Sequence, residues 1–600
     1  MSQATGNPPV PPGLDRFIGP GVLLISFLAY LLTLAPTVTF WDSGELILSA
    51  VSLGNSHPPA YPVFCTLGKG FSLMPLGSAA YRVNLLAASA ASASAYLLYR
   101  LITQMGAGRP DVRWIACALA LSFAFLRSLW SVSVLSEMYS LNAAFLVAIL
   151  IMLLKRERGG GVSFLHASAF LLGLALVNHQ SVLMFLPAYA VYYISSAIGA
   201  RGFKTSLQSL FFFLLGYSVV VYLPVRAHGS PAINIGDPRT LSDFLWEVKW
   251  PEDVAMIKSM TGGMLRGMTG AGTAYLAAGA AGFAALAYML RRRRYALLLV
   301  LSAALYYVGT GMVTGPETGM RKWGLYSKFY TPVYLFIGLS AVSLLFYVWE
   351  RRPAGRGLPA AAAMLCLALP AGLAVHNYKA VDNSRNFFAC DFASNTLKSV
   401  GQDAAVFAWG DNGIFPVWYL QGVERYRDDV FFIHTEILTY PWYMADRRAV
   451  MARKYGVLYT PPADLLDLET NVPPMRRMLE AAAPTYFDYS AIARLGYDMA
   501  AFKPQGLVHL VPSWDAVPIG RIWERYVLRG AFDGTTNNAF AAEGILGIYA
   551  YECGIWAQEA YSEGRPEEAL RAYGLARKLG LENVYLDRWA EGIRRGLGRP

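Results

Sequence analysis

The chain has 600 residues, 55% of them hydrophobic and 15% charged, against roughly 25% charged in ordinary soluble domains. That balance excludes a soluble, disordered or collagen-like protein. The net charge of +11 is unevenly placed: residues 1–376 carry 27 basic and 13 acidic side chains, residues 377–600 carry 24 and 27. A basic excess confined to the hydrophobic part marks membrane topology and argues against a nucleic-acid-binding face.

Residues 1–16, with four prolines among the first 14, read as a disordered tail. Apolar stretches long enough to cross a hydrocarbon core of about 30 Å then recur. Eleven are predicted, at 17–36, 83–103, 113–130, 138–154, 163–177, 181–198, 206–225, 272–290, 295–313, 328–348 and 358–376. Every second loop is short and basic: Arg100, Arg109 and Arg113; Lys155, Arg156 and Arg158; Arg201 and Lys204; Arg291 to Arg294; Arg351, Arg352 and Arg356. By the positive-inside rule these loops are cytoplasmic. The N-terminus is then inside and everything beyond residue 376 outside, as in a multi-pass protein of the cytoplasmic (inner) membrane with a periplasmic C-terminal domain.

The outer loops differ in character. Residues 37–82 and 226–271 are long, aromatic and rich in Pro, Gly and carboxylates. In the first, Glu45–Gly54 and Tyr61–Pro75 are expected as short amphipathic helices at the interface. Long ordered loops on one face are where a membrane enzyme carries its site. Beyond the spans, 377–535 reads as an α/β domain: a helix around Asp391–Val400, a strand at Ala404–Trp409, a Gly-Asp-Asn turn, a helix at Ile414–Gln421 and a strand at Val430–His434 make a βαβ unit. Residues 536–600 read as a helical hairpin with half of one tetratricopeptide-like repeat at Gly564, Ala569, Tyr573 and Ala576, short of the three a solenoid needs. Five scattered cysteines without a CxxC or Cys/His cluster give no metal-ligand spacing. Spacing leaves open whether Cys390 and Cys553 pair.

The first outer loop holds Phe40-Trp41-Asp42-Ser43-Gly44-Glu45, then His57-Pro58-Pro59-Ala60-Tyr61-Pro62, and closes with Arg82-Val83-Asn84-Leu85-Leu86. A carboxylate held against a low-dielectric surface titrates upward and serves as a general base near neutral pH, which makes Asp42 a candidate. The competing reading is a helix N-cap, with Asp42 or Ser43 capping the helix that contains Glu45. The two are compatible if Ser43 caps.

With Ser136–Asn142 (SEMYSLN), Asn178–Ser181 (NHQS), Tyr222–Ala227 (YLPVRA), Asn234–Pro238 (NIGDP) and Gly410–Asn412 (GDN), these runs resemble the protein O-mannosyltransferase-like family of GT-C membrane glycosyltransferases, over most of residues 17–435. The resemblance implies a GT-C-like α-helical bundle with a C-terminal α/β plus helical domain. It also implies a polyprenyl-phosphate sugar as donor and a catalytic carboxylate in the first outer loop. Carried over, Asp42 deprotonates an acceptor hydroxyl and Glu45 orients it or binds a sugar hydroxyl. Glu137 stands where related enzymes place a second acid, or is simply a favourable charge at a helix N-terminus. His57 stacks on or hydrogen-bonds a sugar, or is structural. The lipid phosphate falls to Asn178, His179, Arg226 and Lys328, although Arg226 and Lys328 also suit interfacial snorkelling. Lys328 departs from the Arg-Tyr-x-x-Pro of related enzymes and offers a point charge without a bidentate fork. Trp41, Tyr61, Asn234 and Asp237 are assigned to shaping the loops or to the acceptor side.

The implied reaction is an inverting displacement of a mannose-like hexose onto a hydroxyl, on an exported protein, with no cofactor and no metal. A transporter or lipid flippase, or a non-catalytic envelope assembly protein, is the alternative. Transporters place ionisable residues inside their spans and use repeated halves; here the carboxylates crowd the outer loops.

Overall fold

In a computed structural model the described residues are 15–106, 112–197, 202–249, 293–314, 327–349, 360–461, 467–529, 531–532, 539–582 and 584–597. The tail up to residue 14, the span expected at 272–290, the latter part of the loop 226–271, and the basic residues Arg109, Arg201, Arg291, Arg292, Arg351, Arg352 and Arg356 lie outside them.

The N-terminal part is a helical bundle. Its elements are α1 (Asp15–Leu32), α2 (Ser43–Ser52), α3 (Pro62–Ser72), α4 (Ala79–Met105), α5 (Val112–Ala124), α6 (Arg127–Ser133), α7 (Tyr139–Glu157), α8 (Ser163–Asn178), α9 (Leu186–Ala197), α10 (Gly202–Tyr217), α11 (Tyr222–His228), α12 (Leu241–Lys249), α13 (Arg294–Thr314), α14 (Thr331–Trp349) and α15 (Ala360–Val381). Among the described residues four helices are long and apolar enough to cross a membrane: 79–105, 139–157, 202–228 and 327–347. α5 and α6 make a fifth span only as a pair bent by 61°. That is four or five of the eleven expected, with the stretch at 272–290 outside the described residues; elsewhere breaks shorten the helices. A hydropathy window cannot see where a helix breaks: the stretch at 113–130 bends after Ala124, and that at 181–198 begins with a 3-10 turn, Gln180–Phe185. The last stretch runs on past residue 376 to Val381.

Small residues set the packing. α4 carries the run Ala87–Ala95, rich in Ala and Ser, and packs against α1, α5 and α7. α8 and α10 meet at Gly173 and Gly216, where a Cβ on either would collide with the other helix's backbone. Without a hydrophobic drive between helices in lipid, such close approach supplies the attraction.

The C-terminal part begins with α16 (Phe388–Lys398) and continues through β1 (Ala405–Ala408), α17 (Asp411–Gly422), β2 (Phe431–His434), α18 (Pro441–Tyr455), α19 (Leu468–Glu480), β3 (Thr485–Asp488), α20 (Tyr489–Arg494), β4 (Lys503–Gln505) and β5 (Val508–Leu510). The strands form one sheet in the order β2-β1-β3-β5-β4. β1 is parallel to β2 and β3, with Ala405 opposite Phe431 and Thr485, and β5 runs antiparallel to β3 and β4. The βαβ unit read from the sequence is present. Its strands are buried throughout, which is why they are continuously apolar and not alternating. Helices α21 (Ile519–Trp523), α22 (Ala539–Ser562), α23 (Pro566–Lys578) and α24 (Val584–Gly596) follow. Cys390 and Cys553 are both free thiols.

The two parts share a core. Leu46, Ile47 and Ala50 of α2 and Val83 and Leu86 of α4 cluster with Ile414, Phe415, Val417 and Leu420 of α17 and Val406 of β1. Accordingly α2 is not an interfacial helix: Ser43 to Ala50 are all buried. Gly44 makes this possible, since a Cβ there would strike the Phe415 carbonyl of α17.

Candidate active site

The loop from α1 to α2 is pinned from both ends of the chain. Phe40 is buried edge-on against Phe388 and Phe392 of α16, with ring centroids 5.6 and 6.3 Å away. The backbone N–H of Trp41 donates to Asn412 Oδ1 at 2.9 Å, so the Gly-Asp-Asn turn latches the loop. Trp41 takes φ 64°, and Ala60, Tyr61 and Asp237 also lie in the left-handed region at 63°, 47° and 41°. Each such residue costs on the order of 1–3 kcal/mol, a strain that concentrates at functional sites.

Asp42 occupies the N-cap position of α2, yet its side chain makes no cap hydrogen bond. Ser43 does not cap either, because its hydroxyl accepts the Thr39 N–H at 3.3 Å. The capping reading is thus not realised. The Asp42 carboxylate, 22% exposed, instead stands 3.8 Å from Lys328 Nζ. Lys328 is 3.1 Å from Glu137 Oε1 and 5.0 Å from the Tyr139 ring. One cation is therefore shared by two carboxylates from the first outer loop and the α6–α7 turn. Burial, opposed by Lys328, pushes Glu137 up to about 7, and its Oε2 has no hydrogen-bond partner.

Glu45, one turn along α2, is fully buried. Its Oε2 meets His57 Nδ1 at 2.7 Å, and its Oε1 accepts the His57 backbone N–H. Burial would lower the His57 pKa, but the Glu45 carboxylate, reinforced by Asp42 and Asp411, raises it to about 10. Burial in turn pushes the Glu45 carboxyl upward, with His57 opposing it, so the pair holds a proton tightly between its two members. Its far side is closed by Tyr61, whose hydroxyl lies 2.8 Å from His57 Nε2. Tyr61 stacks on His179 (6.0 Å, 9°), and His179 tilts against Tyr139 at 4.8 Å. Burial, with the Lys328 and His57 cations adding, lowers His179 to about 3; it is a neutral ring whose Nδ1 accepts the Ser181 N–H at 3.1 Å. Asn178 donates to the Met138 carbonyl at 3.3 Å and leaves its own Oδ1 unpartnered.

Asp42, Glu45, His57, Tyr61, Glu137, Asn178, His179 and Lys328 thus converge. Arg226 does not: its Nε and Nη2 donate to the Leu53 and Ser52 carbonyls at 2.6 and 3.3 Å, closing the end of α2. The sequence nominates it for the lipid phosphate, but its guanidinium is committed to backbone. Asn234 and Asp237 likewise serve a turn. Asn234 pairs with Asn55 as a single parallel bridge and donates to Asp237 Oδ1 at 2.6 Å, and Asp237 pairs with Arg239 at 3.0 Å.

Four contributors were not singled out from sequence. Tyr139, Asn142 and Ser181 lie inside the SEMYSLN and NHQS runs, where the ionisable neighbours Glu137 and His179 carry the stronger chemical signal. Glu247 of α12 has no signal at all, because it is the only buried side chain among that helix's described residues and so creates no apolar stripe. A cavity of about 600 Å³ lies between the 231–239 turn and helices α17 and α18, lined among others by Leu48, Ile235, Trp418, Trp442 and Arg447. Among the described residues no three His, Cys, Asp or Glu side chains cluster as metal ligands do.

Residues 42–200 match the family model of the protein O-mannosyl-transferase TMEM260 N-terminal domain, and residues 389–456 match TMEM260-associated domain 2. The chain is 26% identical over 466 residues to mouse (Mus musculus) protein O-mannosyl-transferase TMEM260, covering 69% of this chain and 62% of that one. It is 26% identical over 239 residues to protein O-mannosyl-transferase tmem260 of Dictyostelium discoideum, covering 36% and 28%. The chain therefore spans less than two thirds of the length of these curated relatives. In fold it is similar to ArnT from Cupriavidus metallidurans, solved bound to undecaprenyl phosphate, with a TM-score of 0.52 at 11% identity over 84% of this chain and 99% of that one. These likenesses agree with the resemblance carried by the sequence motifs, and the protein is an integral membrane protein of GT-C-like fold.

Proposed function

We propose, starting from that kinship with the protein O-mannosyltransferase-like GT-C family, that the chain transfers a mannose-like hexose from a polyprenyl phosphate to a hydroxyl of an exported protein. The observation that carries the reading is the placement of Asp42: a partly exposed carboxylate without a structural hydrogen bond, 3.8 Å from a cation, on a loop held in strain.

In the step, the acceptor oxygen attacks the anomeric carbon and the bond from that carbon to the phosphate oxygen breaks. The lipid phosphate departs with the electron pair, inverting the centre, and the hydroxyl proton passes to Asp42. Lys328 offsets the charge that grows on the phosphate. Glu137, 3.1 Å from Lys328 Nζ, holds that cation in place. Glu45 acts through His57: their pair fixes the turn that carries Tyr61, which stacks on His179 across the site. A single phosphate is already an adequate leaving group, so the step needs no divalent metal. Basic inner loops put this face outside the cytoplasmic membrane, with the N-terminus inside.

The test is transfer from radiolabelled polyprenyl-phosphate mannose to exported-protein acceptors by the chain in lipid nanodiscs. Wild-type transfer that is lost in Asp42→Asn, with EDTA without effect, is the expected result. Undiminished transfer by Asp42→Asn would remove Asp42 from the reaction, and solute or lipid translocation without any transfer would favour the flippase reading.

A further inference from the structure

Among the buried polar atoms left without partners around the site are Glu137 Oε2, Asn142 Oδ1, Asn178 Oδ1, Asn55 Oδ1 and both carboxyl oxygens of Glu247: three amide carbonyls, which only accept, and two carboxyls. The amides are not simply turned the wrong way. Asn55 Nδ2 donates to the Leu223 carbonyl at 3.1 Å and to Asn234 Oδ1 at 2.8 Å, Asn142 Nδ2 to Ser181 Oγ at 3.0 Å, and Asn178 Nδ2 to the Met138 carbonyl. Turning them would lose those bonds. Buried acceptors left open are costly and call for an explanation.

Three of these oxygens belong to the wall that faces Lys328 and is already part of the reaction described above. The other three, on Asn55 and Glu247, flank one turn on the His57 side. Asn55 is fully buried two residues before His57, and its backbone N–H donates to the Ile233 carbonyl at 3.1 Å. Glu247, also fully buried, lies against Gly236, which takes φ 74° and where a Cβ would collide with the Glu247 carboxyl. The turn Asn234–Asp237 is thus shaped to admit that carboxyl. Burial pushes Glu247 well above the usual carboxylate range, with His57 lowering it and Glu45 raising it, so it lies within electrostatic reach of the Glu45–His57 pair. A carboxyl held neutral by burial both donates and accepts, while Asn55 Oδ1 only accepts. A polyol matches the pair, because each hydroxyl brings an O–H donor and an acceptor oxygen.

We propose that Asn55 and Glu247 form the subsite that accepts two neighbouring hydroxyls of the transferred hexose, and that Glu247 is its specificity determinant. This rests on the transferase reading above. Glu247 touches the sugar remote from the bond that breaks, so it sets which hexose is accepted and takes no part in the proton transfer.

The experiment uses the full chain in lipid nanodiscs, as wild type, Glu247→Gln and Asn55→Ala. Three probes are bound and compared: bare polyprenyl phosphate, polyprenyl-phosphate mannose, and its 2-, 3-, 4- and 6-deoxy analogues. The wild-type arm tests the transferase reading, because a wild type that holds the mannosyl lipid no better than the bare one sinks that reading and this subsite with it. The variant arm tests the subsite alone. Expected is a loss of about 10-fold or more in affinity for the mannosyl lipid in Glu247→Gln, with bare polyprenyl phosphate bound as by wild type. One deoxy position should no longer be penalised in the variant. Thermal unfolding of ligand-free Glu247→Gln should match that of wild type, since an amide of the same shape replaces the buried carboxyl. A variant that weakens both lipids equally, weakens neither, or keeps the wild-type ranking of the deoxy analogues overturns the subsite while leaving the transferase intact.

Discussion

Asp42 and Glu45 sit on one short loop, a helical turn apart, and the two sides of α2 treat them differently. On the Asp42 side the carboxylate is 22% exposed, makes no cap hydrogen bond and shares Lys328 with Glu137 from another element. On the Glu45 side the carboxylate is sealed, with both oxygens engaged by one residue, His57. The difference teaches that residue type and spacing nominate both acids equally, whereas surroundings separate them: one is left without a cap hydrogen bond, as the proposed base requires, and the other is bound to His57 through both oxygens.

The sharpest break of this division is Asp42→Asn, which should lower transfer by about 10³-fold, within the range for general-base loss, while polyprenyl-phosphate binding persists; a transfer assay beside lipid binding reads both. Lys328→Met comes next. It leaves the buried Glu137 without its partner, a loss of about 3–5 kcal/mol for a broken buried pair, seen as a lowered melting temperature and weakened lipid-phosphate binding, with Lys328→Arg partly restoring the latter.

The Glu45 side is tested by pH. The folded-state pKa of His57, raised to about 10, exceeds its unfolded value of roughly 6.5. The native state therefore holds the proton more tightly, and that stability is full below pH of about 6.5 and lost as pH rises through about 10. Melting temperature should decline across this window, and in Glu45→Gln, where the amide no longer retains the proton, the His57-linked decline should fall at lower pH. Gly44→Ala should cost about 1–3 kcal/mol through overpacking by forcing α2 away from Phe415, with unfolding and transfer measured together. The smallest effect is expected of Asn412→Ala. Loss of the Trp41 N–H acceptor is worth about 1 kcal/mol and should raise KM a few-fold while the fold stays intact.

How far the sequence reaches follows from what each pattern encodes. The βαβ unit was legible because buried parallel strands are written as unbroken apolar runs, AVFA and FFIH, separated by a turn. The carboxylates were legible because polar residues at the ends of apolar runs stand out. Lys328 was nominated, but its partnership with Asp42 and Glu137 joins residues hundreds of positions apart and has no local trace. Arg226 shows the opposite limit: charge and position suited a phosphate, and only the structure reveals two backbone carbonyls in its grasp. The interfacial placement of α2 failed for a related reason. Its amphipathic pattern says that one face is buried, without saying that α17, not lipid, covers it.

The hydrogen bond from Trp41 to Asn412 spans 371 positions in the chain. At a synthesis rate of about 5–20 residues per second, the loop bearing Asp42 therefore waits on the order of 20–70 s for the residue that latches it. The fastening of the first loop is therefore a late event in the life of the chain, and it ties the start of the membrane bundle to the helix of the βαβ unit.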